Sequence, residues 1–393
     1  MSDRLHFFRC ETGRCAVSLP FSLDGVIDDW DRLRRAMIRE LPPAFSRDEW
    51  AYLLSFLAPE QLRLPFQQAF GVADATTTGA VRLLARPRGL VSVWLPGNVN
   101  LLGPLTLILV SLTGNPLRMK VGARGQDLVR PFLDFARPRL GDGPLARYLA
   151  EQVHVEQFGR DDARNRDMSE QAHVRIVFGT DEAVKAVDAL PHRGDSSLVG
   201  FGNHQSQAWI EPACVTDDVA MLLARVFAIY GPAGCTSPRI AVLIGGTTDD
   251  ARDLRDRLLS LWPKVMPRDV IGHVASQNIM ARQWAAALGW DAVLTRRHAA
   301  VLALGKTGQE IVGGPMTLHI EPASFDEAVQ HLPANIQTIG HALVNAGDRS
   351  WMELLARTAI KRFVPLGQMH FFGPVWDGMG FWRQLFEEVE VRP

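Results

Sequence analysis

Leu90–Lys120 reads LVSVWLPGNVNLLGPLTLILVSLTGNPLRMK, and this stretch decides the fold. Leu90–Leu95 is an apolar run cut off by Pro96-Gly97, which reads as a strand. Leu101–Leu112 is almost wholly apolar, ends at Gly114-Asn115, and reads as a buried helix. Leu117–Val121 returns to a strand pattern. Strand, helix and strand in so short a span is the rhythm of a parallel α/β sheet with helices on its faces.

The rhythm continues outward. Gln126–Phe135 reads as a helix; the strand His173–Phe178 runs through Gly179-Thr180 into a helix over Asp181–Ala189. Gln207–Ile210 is a short strand. Thr216 caps a helix with Asp217 and Asp218 in its first turn, ending near Tyr230. The loop GPAGC leads to a strand over Arg239–Ile244, and Gly246-Thr247-Thr248 reads as a strand-to-helix turn. Residues 1–75 read as mostly helical, with apolar residues at helical spacing in VIDDWDRLRRAMIREL and in SRDEWAYLLSFL, which Ser46 caps. The aromatic, glycine-rich tail RFVPLGQMHFFGPVWDGMGFW reads as a packed terminal lid or interface.

Composition bounds the function. The chain has 393 residues, 47% hydrophobic and 22% charged, which is globular and excludes a disordered, collagenous or coiled-coil protein. A net charge of −1 provides no basic field for nucleic acid. The longest apolar run, about 12 residues, is shorter than the roughly 20 that span a membrane. The N-terminus lacks a signal-peptide layout, and Cys10, Cys15, Cys214 and Cys235 form no paired CxxC pattern. These features predict a cytoplasmic chain with free thiols and no metal site. Residues 76–140 hold nine basic residues against two acids. That excess has two readings: solvated arginines around an apolar sheet, or a region for phosphate-rich ligands.

Three places carry candidate chemistry. Cys235 sits in a glycine-rich connection between a helix end and a strand start, where reactive thiols occur more often than in cores. Asn98 follows a strand in the turn PGN, either as a helix cap or as an amide donor to a developing oxyanion. Gly179-Thr180 opens a helix directly after a strand, where free N–H groups form an anion site.

PGNVN with its apolar helix, GN-PLRMK, VFGTDEAV, NHQSQAWIEP, the Cys235 loop and EIVGGPM occur in the order seen in the aldehyde dehydrogenase superfamily. More narrowly, GCTSPRIAV after a long helix resembles the acyl-CoA reductase family of bacterial bioluminescence systems. The resemblance spans about residues 75 to 345. It implies a Rossmann-type nucleotide-binding domain plus an α/β catalytic domain. The expected division is a helical region over 1–75, nucleotide binding over 76–205, catalysis over 206–345, and a segment over 346–393 completing the nucleotide-binding domain or an interface. By position, Cys235 matches the nucleophile and Asn98 the oxyanion-hole amide. Lys120 matches the lysine that holds the adenosine ribose. Phe178, Gly179 and Thr180 match the turn beside the pyrophosphate, and Pro96 joins this cofactor-binding set. Glu310 matches the glutamate on the nicotinamide ribose, with an extra glycine before Pro315.

The departures from the superfamily pattern point to a direction of reaction. Aldehyde oxidisers carry a glutamate base in an LELGGK-like segment. Here that stretch is GFGNHQSQ, and no acid appears until Glu211. Such a base activates water to hydrolyse an acyl-enzyme, which a thioester reductase does not need. His204 has two readings, as proton donor to a leaving thiolate or as a plain hydrogen-bonded histidine. NAD-preferring oxidisers often place an acid about three residues after the matching lysine; here stand Ala123 and Arg124, which favours NADPH over NADH. The expected substrate is an acyl-CoA or an acyl-carrier protein, and the resemblance implies a homo-oligomer. The competing expectations are an NAD(P)-dependent aldehyde or semialdehyde dehydrogenase and a non-enzymatic binding relative.

Overall fold

In a computed structural model, which describes residues 6–9, 15–71, 82–123, 125–266 and 272–392, the chain divides into two compact units. One is Met1–Gly202 with Phe372–Pro393, and the other is Asn203–Phe371. The candidate residue Arg124 and the thiol Cys10 lie outside the described residues.

Among its described residues the first unit holds a four-stranded sheet, a five-stranded sheet and a short ribbon that pairs Val375–Trp376 with Met379–Gly380. Strands β1 (His6–Arg9), β2 (Cys15–Leu19) and β3 (Arg82–Pro87) form the four-stranded sheet with the C-terminal strand Phe386–Val391. The N-terminal region is therefore not simply helical. Its helices, Leu23–Met37, Arg47–Phe56 and Pro59–Gly71, follow two strands that pair with each other, the second of them also with β3 beyond the helices. Ser46 closes a capping box with Glu49, as its place before the acidic first turn predicts. Trp30, fully buried, donates from Nε1 to Ser111 Oγ at 2.9 Å and stacks on Phe132. In the tail, Trp382 packs against Phe66 and Phe372 and donates to the Leu109 carbonyl.

The five-stranded sheet contains β4 (Val91–Trp94), β5 (Leu117–Gly122), β6 (Val153–Phe158), β7 (Val174–Phe178) and β8 (Ser197–Phe201). All are parallel, in the order β6-β5-β4-β7-β8. The apolar run is the helix Leu102–Ser111, buried all round as its composition demands.

The second unit is one seven-stranded sheet of β9 (Gln205–Ile210), β10 (Pro238–Ile244), β11 (Asp291–Leu294), β12 (Val301–Leu304), β13 (Thr317–Ala323), β14 (Ile336–Ala342) and β15 (Arg362–Pro365). Its order is β11-β12-β13-β10-β9-β14-β15, parallel except where β11 meets β12. Helices including Asp217–Tyr230 and Thr248–Val265 bury Leu223, Phe227, Leu254 and Trp262 against one face. Thr216 and Thr247 cap these two helices, and the Gly246-Thr247 turn is the expected strand-to-helix turn.

Candidate active site

In the first unit, the chain leaves β4 for β5 and β6 on one side, then crosses back to β7 and β8 on the other. At such a reversal the two connections part beyond the carboxyl ends of β4 and β7, leaving the crevice where sheets of this class take ligands. Pro96 lies just past β4; Gly179 and Thr180 lie just past β7. Thr180 caps the helix Asp181–Asp188 by accepting from the Ala183 N–H at 3.3 Å. Phe178 stacks on Phe201 with centroids 4.7 Å apart. Lys120 pairs with Trp94 across the ladder, and its ammonium lies 5.6 Å from the Phe158 ring centroid. Burial, then the neighbouring Arg160, lower the Lys120 pKa from its ordinary value. A Cβ added at Gly97 or Gly122 would meet nothing within 4 Å, so the space over these turns is open. Asn98 is exposed and does not cap the following helix, whose N-cap is Leu101 without a side-chain bond.

Of the nine basic residues over 76–140, four are ion-paired among the described residues. Arg118 pairs with Glu156 and Asp167, both at 2.6 Å, and Arg139 with Glu40 at 2.5 Å. Arg86 pairs with Glu387 at 2.8 Å and Arg130 with Asp127 at 2.6 Å. The solvated-arginine reading fits these four side chains, and the ligand reading keeps Lys120, with Arg124 outside the described residues.

In the second unit, the helix Asp217–Tyr230 stops at Gly231, whose φ of +52° is a conformation that favours glycine. At Gly234 a Cβ would come within 2.7 Å of Tyr230 Cβ. Cys235 follows, half-buried, at the amino end of β10. Its sulfur receives a hydrogen bond from Gln337 Nε2 at 3.5 Å. Its carbonyl accepts from Ser206 Oγ at 2.6 Å. The next residue, Thr236, meets His370 Nδ1 at 2.7 Å, and His370 Nε2 meets the Val226 carbonyl at 2.7 Å. Burial pushes the His370 pKa down to about 4. The ring is therefore neutral at pH 7, with Nε2–H donating to Val226 and Nδ1 accepting from Thr236. His204 immediately precedes β9, at the same sheet edge as Cys235.

Glu211 lies at the other end of β9, where its carboxylate accepts from the Val344 N–H at 2.8 Å. Five residues of strand separate it from Ser206, roughly 16 Å at about 3.3 Å each. Glu310 is exposed on the connection from β12 to β13. Trp290 Nε1 donates to the Glu310 carbonyl at 2.8 Å, and the Val312 N–H donates to His319 at 3.2 Å. The extra glycine has a local reason: a Cβ at Gly314 would lie 2.3 Å from Thr317 Oγ1. Cys214 is a weaker thiol candidate, because burial and then Glu211 push its pKa up. Among the described residues no cluster of three or more His, Cys, Asp or Glu could hold a metal ion, and no helix is long and apolar enough to cross a membrane.

A family model for acyl-CoA reductase, LuxC, matches residues 78–386. The chain belongs to the LuxC acyl-CoA reductase family. It is thus an oxidoreductase, and family membership implies a nicotinamide cofactor. No curated protein matches the chain. Solved structures share its fold. Gamma-glutamyl-gamma-aminobutyraldehyde dehydrogenase from Burkholderia cenocepacia superposes with TM-score 0.62 at 12% identity, over 94% of this chain and 84% of that one. Lactaldehyde dehydrogenase from Escherichia coli gives 0.61 at 11%, over 93% and 86%. Proline utilization A from Bradyrhizobium japonicum gives 0.62 at 14%; it covers 94% of this chain, which spans only 43% of that longer one. The fold is that of the aldehyde dehydrogenases.

Sequence reasoning missed Ser206, Gln337 and His370. A signal was present for two of them. Parallel strands buried on both faces should be near-continuously apolar, yet β9 opens Gln-Ser-Gln and β14 places Gln-Thr after its first residue.

Proposed function

We propose that this LuxC-family chain reduces an acyl thioester, acyl-CoA, to an aldehyde through an acyl-enzyme on Cys235, with NADPH as the reductant. The observation that carries it is the Cys235 sulfur: a half-buried thiol on a glycine turn, with an amide donor at the sulfur. In this reading the thiolate attacks the thioester carbon, and the bond to the coenzyme A sulfur breaks. The Asn98 amide and the Cys235 N–H stabilise the oxyanion, and His204 protonates the departing thiolate. The position of Glu211, at the far end of β9, supports reduction over oxidation, because it leaves the GFGNHQSQ segment without a water-activating carboxylate at the thiol end.

The crevice past β4 and β7 suits a dinucleotide. Gly97 and Gly122 leave open space, and the half-buried Lys120 has an aromatic ring rather than a carboxylate beneath it. Pro96, Phe178, Gly179 and Thr180 would flank the pyrophosphate at a helix N-terminus. Lys120 would hold the adenosine ribose, Arg124 the 2′-phosphate and Glu310 the nicotinamide ribose. When bound, NADPH supplies hydride to the acyl carbon. The proposal places this enzyme in the cytoplasm as a homo-oligomer. Purified enzyme given NADPH and a panel of acyl-CoA and acyl-carrier-protein donors, with aldehyde trapping, tests it. Acyl-CoA-dependent NADPH consumption with trapped aldehyde is expected. Oxidation of free aldehydes to acids with no thioester requirement would overturn it.

A further inference from the structure

The ladder on both sides of β9 is irregular at one level. On β14, Ile336 and Ile339 pair with Gln205 and Gln207, so Gln337 and Thr338 oppose the single residue Ser206. On β10, Pro238 and Ile240 pair with Ser206 and Gln207, so Arg239 is the extra residue. These are bulges in both neighbours of one strand, meeting at Ser206. A bulge interrupts the ladder and re-aims side chains, and bulges concentrate beside active sites. Ser206, fully buried, takes over the backbone groups this leaves. Its hydroxyl donates to the Cys235 carbonyl at 2.6 Å and accepts from the Thr338 N–H at 3.3 Å. Gln337, also fully buried, aims its amide at the Cys235 sulfur, 3.5 Å away.

The electrostatic setting makes such a donor consequential. Many activated thiols sit at helix N-termini, whose field favours the thiolate. Cys235 instead follows the C-terminus of the helix Asp217–Tyr230. The negative end of that helix disfavours an anion nearby. A discrete donor at the sulfur supplies stabilisation of a thiolate that no helix N-terminus offers at this place in the chain.

We propose that Gln337 is a catalytic residue, the amide donor that stabilises the Cys235 thiolate, aimed by the paired bulges of β10 and β14. This rests on the reading of Cys235 as the nucleophile. The thiol loses its proton to solvent; Gln337 transfers none, and its N–H bond to sulfur strengthens as the negative charge forms.

The test is peptide-resolved alkylation of Cys235 by iodoacetamide in the full chain, from about pH 5 to about pH 10, without cofactor or substrate. The wild-type midpoint is expected below the ordinary thiol value of about 8.5. Gln337→Met should raise it by about one unit, roughly tenfold in thiolate fraction, and Gln337→Glu should raise it further. Activity of the Met variant should fall about tenfold at neutral pH and recover above its new midpoint; a merely structural role would lower the rate equally at every pH. Thermal melting identifies any misfolded variant, and Gln337→Asn, which withdraws the amide by one methylene, then takes its place. A depressed wild-type midpoint that the variants leave unmoved overturns the role of Gln337 and spares the nucleophile. An ordinary wild-type midpoint overturns the nucleophile itself.

Discussion

The two parallel sheets place their candidate chemistry at opposite ends. In the first unit Pro96, Lys120, Gly179 and Thr180 gather at the carboxyl ends of β4, β5 and β7, where a helix begins. In the second, Cys235, His204 and Gln337 gather at the amino ends of β10, β9 and β14, two of which, β10 and β14, follow a helix. A helix N-terminus offers free N–H groups and a positive field, so an anion can be held largely by backbone. An edge that receives helix C-termini offers carbonyls, and a thiolate there depends on side chains. The ladders differ accordingly. The five-stranded sheet pairs in unbroken register, whereas β10 and β14 are bulged beside the thiol.

If the labour is divided this way, removing the sulfur should abolish turnover and leave nucleotide binding intact. Cys235→Ala is expected to lower acyl-CoA-dependent NADPH oxidation by about a thousandfold or more, the scale of losing a nucleophile. NADPH affinity, followed by its fluorescence, should stay within about twofold. A variant with near-wild-type turnover would end the assignment. Joint loss of turnover and binding would break the division between the sheets.

A second contrast lies in how the thiol turn is held. His370, buried and with its pKa at about 4 against an ordinary 6.5, links Thr236 to the Val226 carbonyl. Between those two values the unfolded chain takes up a proton that the folded chain excludes. Stability is therefore full above about pH 6.5 and falls as pH drops toward about 4, by roughly 3 kcal/mol from this residue. Urea denaturation at both ends of the window should show a wild-type loss that shrinks by roughly that amount in His370→Gln. An equal loss in the two proteins would mean that His370 is not the acid-sensitive latch.

Most of the elements were readable because apolar periodicity, caps and glycine stops act within a few residues of one another. Thr216, Ser46 and the Gly231 stop are examples. Contacts that close over long separations were not readable. The strands at His6–Arg9 and Cys15–Leu19 pair locally with each other, but the sheet that holds them is completed near residues 84 and 389. Which reading of the basic residues over 76–140 applies was unreadable for the same reason: Glu40, Glu156, Asp167 and Glu387, which pair with Arg139, Arg118 and Arg86, all lie outside that window. Gln337 and His370 reach the thiol turn across more than a hundred residues. Only the polar openings of two buried strands hinted at the first of these contacts.

The carboxyl-end crevice allows a smaller test. Lys120 stands half-buried over the Phe158 ring, while its neighbours Arg118, Arg130 and Arg139 are ion-paired. Lys120→Met keeps the apolar stem and removes one charge-assisted bond. A rise of about tenfold in the NADPH dissociation constant is expected, with Cys235 alkylation unchanged. Unchanged NADPH affinity would remove Lys120 from the nucleotide site.

The smallest expected effect is the most informative about direction. Glu211 is the first carboxylate after β9 begins, and an oxidiser read from sequence alone would press it into service as the base. Its carboxylate instead accepts from the Val344 N–H, a strand's length from the residue that bonds the Cys235 carbonyl. Glu211→Gln keeps an acceptor for that N–H and removes the charge. Aldehyde formation from acyl-CoA should change by less than about twofold, because no step at the thiol uses this group. A loss of a hundredfold or more, the scale of a missing general base, would bring Glu211 to the chemistry and reopen hydrolysis of the acyl-enzyme as the natural outcome.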